Sequence, residues 1–560
     1  MSGTPVIEVK VWDLERLVGE RLSVEMLEEA LPSLKCEIEE IDQETIAYEA
    51  THDRPDLYSA ELLSLHLKGL LEVETGLPRT PLYGTLERAE VNGPEYRPYA
   101  FFAVARNVKL DDEAIRQLMQ LQEKIHLTYG RNRRKISIGF YDLRGVKFPV
   151  RYVPASPDLR MKPLGFTYEM SLKEVLKRHP KGVEYAHLVS PHDKYPVILD
   201  SEGKVVSFPP ITNSEEFRVT EETRDLLIDV TSIDAEAGRR TITLLAHAVS
   251  VRGGEIQQLQ LTGRMREVSP RIEPDTVSYD VELNRRLLGL DISVDDTVRL
   301  LRRMRMEAVP ATSSELAVKY PFYRVDILHP VDIAEEVAMA YGYRNIKPEV
   351  MPPLHPGRED PLEVFTRIIR ESMVGLGFTE VNNYILTSTR LMYDLMNLPH
   401  QPTIEVENPR HEAYHAMRTW IVPQLINMVS ISRHAGFPQR IFEAGDVVIP
   451  DESSDNKSRE ERHLAFLIAG KGVTLTNGLS AVKALLSMLK VPVRFEKHTH
   501  RSFIEGRTAR ITTPEGVAGI IGEVHPQVLL NFNLNVPVVA CELNIEVIRR
   551  CYLNARKEEH

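Results

Sequence analysis

The sequence has 560 residues, of which 42% are hydrophobic and 27% are charged. A single core stops growing beyond about 250–300 residues, so we expect roughly three to five domains. Lys and Arg number 69 against 81 Asp and Glu, a net charge of −12. This balance disfavours a general nucleic-acid-binding surface, because phosphate neutralisation requires clustered cations.

The sequence also excludes two other classes of protein. No apolar run approaches the ~20 residues needed to cross a membrane, and the N-terminus lacks the apolar stretch of a signal peptide. We therefore expect a cytoplasmic protein. Cys36, Cys541 and Cys551 are isolated and form no CxxC pair, so we expect buried thiols rather than a disulfide framework or a zinc site.

Residues 1–88 are predicted to form an N-terminal α/β domain. The segment VIEVKVW, from Val6 to Trp12, is strand-like. The segment SVEMLEEAL is helix-like, with Ser23 as its N-cap. Pro78, Pro81 and Gly84 then indicate a linker.

Residues 89–265 are predicted to form a mixed α/β domain. Strand-like YAFFAVARNV, PVILD and TITLLAHAVSV alternate with helix-like DDEAIRQLMQLQEKIH and SLKEVLKRH. The segment has neither GxGxxG nor GxxxxGK[ST], so a dinucleotide fold or a P-loop is not supported.

Residues 266–345 are predicted to form a small helix-rich domain. Ser293 and Asp296 indicate a cap for one helix, and a second helix is predicted from Pro330 to Gly342. Residues 346–359, with four prolines and one glycine, are predicted to be a linker.

Residues 360–560 are predicted to form an α+β domain. A long helix, PLEVFTRIIRESMVGLG, precedes a strand, FTEVNNYIL. Later segments are strand-like: QRIFEAGDVVI, HLAFLIAG, ARITTP and VVACELNI. A helix followed by an antiparallel sheet is typical of α+β folds.

Four carboxylates form the first candidate site: Asp326, Asp332, Glu335 and Glu336. The last three have the i, i+3, i+4 spacing of one helix face. An oxygen-only set fits a hard cation such as Mg²⁺. The alternative is an acidic first helical turn that the helix dipole favours, and spacing alone leaves both open.

Small polar residues form the second candidate site, around Pro209 and Pro210: Ser207, Thr212, Asn213, Asp229 and Thr231. Such groups among apolar segments suit a pocket that recognises one polar group of a small ligand. Ordinary turn and capping chemistry is the alternative. The segment shows no Ser-His-Asp order and no nucleophile elbow.

The densest basic run lies in RNRRKISIGFYDL and comprises Arg131, Arg133, Arg134 and Lys135. It either contacts RNA phosphates or forms a solvated loop before a strand.

Several motifs together resemble the β subunit of phenylalanyl-tRNA synthetase, of the archaeal or eukaryotic type, in the class II aminoacyl-tRNA synthetase family. They occur in the family's order along nearly the whole chain. They are DRPDLYS at 53–59, RRKISIGFYDL at 133–143, SFPPITNSEEFRVTEETRDLLIDVT at 207–231, DILHPVDIAEEVAMAYGY at 326–343, RTWIVPQLI at 418–426 and FEAGD at 442–446.

The resemblance implies a heterotetramer of two α and two β subunits. ATP-dependent attachment of phenylalanine to tRNA(Phe) would then occur in the α subunit. It implies that residues 89–265 form a B3/B4-type editing domain and 266–345 a B5-type domain. Residues 360–560 would form a class II synthetase-like core without catalytic motifs, since Arg440 and Phe442–Glu443 retain part of the class signature but GIIGEVHPQVLL offers His525 where catalysis needs Arg.

The resemblance also implies roles for the two candidate sites. Asp326, Asp332, Glu335 and Glu336 match the family's Mg²⁺ ligands. Ser207, Asn213, Asp229 and Thr231 match the editing site, which hydrolyses tyrosine from mischarged Tyr-tRNA(Phe) by binding the tyrosine side chain or orienting a water. The alternative is a structural or tRNA-binding scaffold subunit of the same complex that does not edit.

Overall fold

The computed structural model describes residues 4–84, 86–351 and 357–558. The chain divides into two compact units, Met1–Val350 and Met351–His560. The division falls inside the segment 346–359 that the sequence predicts to be a linker, of which residues 352–356 lie outside the described residues. The finer division of the first unit at residues 88 and 265 stays a prediction.

The first unit begins with a three-stranded antiparallel sheet in the order β1-β3-β2. Its elements are β1 (Val6–Lys10), α1 (Val11–Val18), α2 (Val24–Ala30), β2 (Cys36–Ile41), β3 (Thr45–Ala50) and α3 (Ala60–Leu70). Ser23 caps α2 as predicted, because its Oγ accepts a hydrogen bond from the Met26 N–H at 3.2 Å. The strand predicted for 6–12 ends early, since Val11, Leu14 and Val18 are buried at helical spacing.

Two sheets form the middle of the first unit. The strands of this part of the chain are β4 (Glu87–Val91), β5 (Tyr99–Arg106), β6 (Ile136–Asp142), β7 (Val150–Ala155), β8 (Arg160–Met161), β9 (Met170–Ser171), β10 (Tyr195–Leu199), β11 (Val205–Phe208), β12 (Thr212–Asn213), β13 (Leu226–Ser232), β14 (Glu255–Gln257), β15 (Leu259–Gly263) and β16 (Val268–Ser269). Strands β8 and β9 pair only with each other, outside the two sheets. One sheet is mixed, in the order β12-β11-β10-β7-β4-β15-β16, and the other is antiparallel, in the order β14-β5-β13-β6.

Helices α4 (Asp112–Leu127), α5 (Leu172–Arg178) and α6 (Pro180–Tyr185) accompany these sheets, together with α7 (Ala235–Val251). The prediction of a strand at TITLLAHAVSV is wrong, because these residues form the C-terminal part of α7. The side chains from Thr241 to Val249 are buried without a break. A helix buried on every side has no polar stripe, so its sequence resembles a buried strand.

The end of the first unit contains β17 (Asp275–Asp280), α8 (Val294–Arg303), β18 (Glu307–Pro310), β19 (Glu315–Tyr320) and α9 (Pro330–Tyr341). The two predicted helices and their Ser293 and Pro330 start signals are confirmed. The three strands form an antiparallel sheet, β17-β19-β18, that the sequence reading missed. They are only four to six residues long, so each strand offers few residues in which an alternating pattern can be recognised.

The second unit contains a seven-stranded sheet in the order β20-β23-β24-β28-β27-β26-β25. The elements of this unit are α10 (Pro361–Gly375), β20 (Thr379–Glu380), β21 (Leu386–Thr387), β22 (Ala416–Met417), α11 (Val422–Ile431), β23 (Gln439–Pro450), β24 (Ser458–Ala469), α12 (Leu475–Met488), β25 (Arg494–Lys497), β26 (Phe503–Thr513), β27 (Gly516–Val524), α13 (Pro526–Asn531), β28 (Val538–Asn544) and α14 (Ile545–Glu558). The strand predicted over 378–386 is interrupted between β20 and β21, because Asn382 and Asn383 disfavour strand structure.

Alternate residues of this sheet enter two separate cores. In β24, Leu464 and Phe466 belong to one hydrophobic core, whereas Ala465 and Leu467 belong to the other. This alternation is the period of a strand whose two faces are both covered.

Two further predictions concern the chain as a whole. The three cysteines are free and buried, as predicted. Among the described residues, no helix is long and apolar enough to cross a membrane.

Candidate functional site

A cavity of about 230 Å³ lies beside the strands that carry the predicted polar site. We call it the Asp229 cavity. Its walls come from α4, β6, β11, β12, β13 and the loops that join them. The lining residues include Gln122, Glu123, Arg133, Ser137, Tyr141, Leu164, His179, Lys181, Ser207, Thr212, Asn213 and Asp229.

Strand register brings Ser207 and Asn213 together. They are paired residues on β11 and β12, and Ser207 Oγ lies 3.4 Å from Asn213 Oδ1. Asn213 Nδ2 donates to the carbonyl of Phe140 on β6 at 3.3 Å. This bond joins an edge strand of one sheet to an edge strand of the other. Asn213 is half-buried, whereas Ser207 is buried.

Asp229 is a buried residue in the cavity wall. It is 1% exposed, on β13, and the hydroxyl of Tyr141 donates to its Oδ1. Burial raises the pKa of Asp229 to about 7, although the hydrogen bond from Tyr141 and the charge of Arg97 oppose that rise. The cavity therefore contains a buried carboxyl group that accepts a hydrogen bond from a phenolic hydroxyl.

Thr231, the fourth predicted site residue, does not line the cavity. It lies two residues along β13 from Asp229 and is completely buried. Its hydroxyl oxygen accepts a hydrogen bond from Arg97 Nε at 2.9 Å, and its carbonyl accepts one from Arg97 Nη2 at 2.9 Å. The structure thus brings three of the four predicted residues to the cavity and places Thr231 behind it.

The sequence reading missed several cavity residues. Arg133, which the sequence placed in a basic loop, is buried and donates through Nη1 to the carbonyls of Pro210 and Ile211 at 3.1 and 3.2 Å. Its Nη2 donates to Glu123 Oε1 at 2.6 Å. Burial opposes ionisation of Glu123, but the hydrogen bond with His126 and the charge of Arg133 lower its pKa to about 2.

A glycine inside a predicted strand could have indicated the close contact between Tyr141 and Asp229. Gly139 lies in the middle of β6, opposite Asp229. A Cβ at this position would overlap the Tyr141 hydroxyl and Asp229 Oδ1. A glycine in a strand interior often marks such a close approach.

The four predicted magnesium ligands lie at or near the start of α9: Asp326, Asp332, Glu335 and Glu336. Asp332 and Glu335 are each bound by other groups of the protein. Asp332 Oδ2 accepts hydrogen bonds from the N–H groups of Leu328 and His329, both at 2.7 Å. Glu335 Oε2 lies 2.7 Å from the Lys35 ammonium.

The other two meet at the guanidinium of Arg324. Arg324 donates to Asp326 through Nε at 2.8 Å and through Nη2 at 2.6 Å, and Nη2 also donates to Glu336 Oε1. Burial opposes ionisation of Asp326, but the charge of Arg324 lowers its pKa below the ordinary value. Arg54 and Asp56 are buried next to this group, with Arg324 Nε 3.7 Å from Asp56 Oδ2.

The donor chemistry fits Mg²⁺, but the arrangement of the side chains does not. The cation between Asp326 and Glu336 is a guanidinium. Within the ranges that the structure describes, no three His, Cys, Asp or Glu side chains are arranged to hold a metal ion. The spacing along α9 predicted that the carboxylates share one helix face. It could not show that the cations Arg324 and Lys35 already pair with them.

The second unit has a buried ion pair in the region where the resemblance implies a partial class II signature. Arg418 Nη1 donates to Glu443 Oε1 at 2.6 Å and to Gln424 Oε1 at 2.9 Å. Glu443 also accepts a hydrogen bond from Asn383 Nδ2 at 2.7 Å. His525 caps α13, since its Nδ1 accepts from the Gln527 N–H at 3.1 Å. These polar groups are satisfied within the protein.

Comparisons with known proteins agree with the sequence resemblance. Residues 277–343 match the family model of the tRNA synthetase B5 domain. Residues 347–545 match that of the phenylalanyl tRNA synthetase beta chain CLM domain.

Relatives match nearly the whole chain. The phenylalanine–tRNA ligase beta subunit of Thermofilum pendens is 70% identical over 550 residues, which is 98% of this chain and 99% of that protein. The corresponding subunit of Pyrococcus furiosus is 39% identical over 555 residues, 98% of this chain and 100% of that protein.

A solved structure supports the fold. The crystal structure of an N-terminal fragment of the phenylalanyl-tRNA synthetase beta subunit from Pyrococcus horikoshii is 35% identical, with a TM-score of 0.58, and covers 60% of this chain and 99% of that fragment. The chain therefore belongs to the family of phenylalanine–tRNA ligase beta subunits, which are components of an aminoacyl-tRNA synthetase.

Proposed function

We propose that this chain hydrolyses mischarged Tyr-tRNA(Phe) in the Asp229 cavity, while a partner α subunit uses ATP to attach phenylalanine to tRNA(Phe). The observation that carries the editing role is the buried Asp229, which already accepts a hydrogen bond from a phenolic hydroxyl, that of Tyr141. A tyrosine substrate carries the same group.

Physical chemistry explains why a separate editing site is needed. Tyrosine differs from phenylalanine by one hydroxyl, and an apolar pocket rejects an added hydroxyl only about 10²-fold. A site built to hydrogen-bond that hydroxyl discriminates by about 10⁴–10⁵-fold. Asp229 supplies such a group in the wall of a cavity of about 230 Å³.

The exposure of the lining residues suggests how a tyrosyl ester is oriented. Asp229 and Ser207 are buried, so the hydroxyl end of the substrate belongs with them. Asn213 is half-buried and Glu123 is 39% exposed in its side chain, so the ester belongs towards them. We assign Asn213 to orienting the attacking water, since its amide both donates and accepts hydrogen bonds.

Hydrolysis of Tyr-tRNA(Phe) and Phe-tRNA(Phe) by the full chain tests both assignments. Asn213→Ala should slow release of tyrosine by about tenfold or more, because the water loses its partner. Asp229→Ala should lower the ratio of tyrosine to phenylalanine release by about tenfold or more, because the hydroxyl is no longer recognised. Asn92→Ala and Asp193→Ala, at exposed positions of the same unit, are the matched controls.

Parental rates and ratios in both cavity variants would contradict the assignments. If the parent chain itself releases no tyrosine, the alternative holds, and the subunit is a structural or tRNA-binding scaffold without editing activity.

The partner and the quaternary structure are also proposals. In the second unit, Arg418 donates hydrogen bonds to Glu443 and Gln424, and Asn383 also donates to Glu443. Because these polar side chains bond to one another, they support a role other than catalysis. We infer that this unit docks the α subunit in an α₂β₂ heterotetramer, and that the complex works in the cytoplasm.

Magnesium binding by Asp326, Asp332, Glu335 and Glu336 rests on the resemblance alone. An ion at all four would have to replace Arg324 and Lys35 as their partners. Equilibrium dialysis of the full chain against Mg²⁺ tests this, with Glu335→Gln as a variant at a half-exposed position. Stoichiometric binding that the variant loses would support the proposal, and no binding by the parent would contradict it.

A further inference from the structure

The turn that joins α4 to β6 has an unusual backbone. We call residues 130–135 the 130–135 turn. Three consecutive non-glycine residues adopt left-handed conformations: Arg131 at φ 51°, Asn132 at φ 53° and Arg133 at φ 61°. Side chains of L-amino acids rarely adopt this region, and such a run persists only where the surrounding structure fixes it.

Backbone hydrogen bonds fix part of the turn. The N–H of Gly130 donates to the carbonyl of Ile125 at 2.7 Å, and the N–H of Arg133 donates to that of His126 at 3.0 Å. The turn then closes on itself, because the N–H of Lys135 donates to the carbonyl of Gly130 at 2.8 Å.

Hydrogen bonds from Arg97 fix the C-terminal part of the turn. Its Nη1 donates to the carbonyls of Arg133 and Arg134 at 3.1 and 3.2 Å, while Nε and Nη2 bind Thr231. Arg97 is 3% exposed, and none of the described carboxylates lies within ion-pair distance of it. One buried guanidinium therefore ties the turn to the strand that carries Asp229.

The arginines of the turn differ in burial. Arg133 is buried and lines the Asp229 cavity. Arg131 and Arg134 are exposed, and among the described residues their side chains have neither an ion pair nor a hydrogen bond. In a chain of net charge −12, two free arginines on a fixed turn next to a cavity residue form a local cationic site.

We propose that Arg131 and Arg134 bind backbone phosphates in the acceptor end of the aminoacyl-tRNA whose ester enters the Asp229 cavity. This inference rests on the proposed editing function. Consecutive Cα atoms are about 3.8 Å apart, so the exposed arginines are held a short, constant distance from Arg133. Guanidinium groups match phosphate oxygens in a bidentate geometry, and phosphate contacts fix the register of a bound nucleic acid without reading its sequence.

The double variant Arg131→Gln, Arg134→Gln of the full chain tests the proposal with two substrates. With Tyr-tRNA(Phe), KM should rise by roughly three- to tenfold and kcat should stay unchanged, because only phosphate contacts are lost. The slope of log(kcat/KM) against log salt should become shallower by about one to two. With tyrosyl-adenosine, an ester that lacks the acceptor-strand phosphates, both constants should equal those of the parent.

The matched control is Arg21→Gln, Arg79→Gln, which removes the same charge from two exposed positions of the N-terminal part. It should leave KM and the salt slope at parental values. A double variant of the turn that behaves like this control would show that the turn is only a solvated loop. Equal losses with both substrates would also overturn the proposal, since they would indicate a deformed cavity.

Failure of the editing function itself gives a different result. If the parent hydrolyses neither ester, the proposed function is wrong, and fluorescence anisotropy with uncharged tRNA(Phe) then decides the question. Weaker binding by the turn variant than by the control supports a phosphate contact, and equal binding overturns it.

Discussion

Gly139 and Asp229 are cross-strand neighbours on β6 and β13. The absence of a side chain at Gly139 leaves the space in which the Tyr141 hydroxyl reaches the carboxyl group. Thr231, on the same strand as Asp229, is held by Arg97 instead of facing the cavity. At the scale of single residues, the contact between Tyr141 and Asp229 therefore depends on the missing side chain of Gly139, while Arg97 holds the neighbouring Thr231.

Gly139→Ala tests this dependence. The new methyl group would displace Tyr141 and Asp229, so release of tyrosine from Tyr-tRNA(Phe) should fall by about tenfold or more. Overpacking should also lower the free energy of unfolding by about 1–3 kcal/mol. Hydrolysis assays and urea denaturation measure the two effects. Gly84→Ala, where a Cβ meets nothing within 4 Å, is the control, and a parental rate in Gly139→Ala would show that the Tyr141–Asp229 contact is dispensable.

At the scale of elements, sequence patterns were sufficient where one face is buried and the ends carry capping residues. Ser23, Ser293 and Pro330 marked helices that the structure contains. Patterns failed for α7, which is buried all round, and for the short strands β17–β19. They also could not reveal that Arg324 lies between Asp326 and Glu336, because that contact depends on tertiary packing.

Strands β24 and β28 of the second unit carry a charged group that no sequence pattern indicated. His463 on β24 and Asn544 on β28 are paired. The two ring nitrogens of His463 lie 2.8 Å from Glu542 and 3.1 Å from Glu461. Burial opposes protonation, but the hydrogen bonds to the two carboxylates raise the pKa of His463 to about 9. The imidazolium is thus part of the sheet at neutral pH.

The stability of the chain should consequently depend on pH through His463. A histidine with a folded pKa above its unfolded value of about 6.5 contributes stability that is complete below pH 6.5 and is lost as pH rises through about 9. The free energy of unfolding of the parent should fall by about 3 kcal/mol relative to His463→Gln between pH 6 and pH 10. Urea denaturation across this range measures it. His411→Gln, at an exposed position, should follow the parent, and parallel curves for His463→Gln and the parent would show that the ring is neutral.

At the scale of the whole molecule, the two compact units carry different chemistry. The first contains a cavity with a buried acceptor and a cationic turn, which suit an aminoacyl ester and its phosphates. The second has a seven-stranded sheet with a core on each face, and it contains the buried ion pair of Arg418 and Glu443. Hydrolysis and synthesis of the ester are therefore expected to depend on different polypeptides.

Aminoacylation of tRNA(Phe) with phenylalanine and ATP tests this separation. The chain alone should form no Phe-tRNA, because His525, which the resemblance aligns with the catalytic arginine of class II synthetases, caps a helix in the second unit. Co-expression with an α subunit of the same family should give a stable complex that charges tRNA, and Asn213→Ala in that complex should leave charging with phenylalanine unchanged while Tyr-tRNA(Phe) accumulates. Charging by the chain alone would assign the second unit a catalytic role. A chain that binds no α subunit and supports no charging would instead place it outside the ligase complex, as a free-standing protein built from synthetase domains.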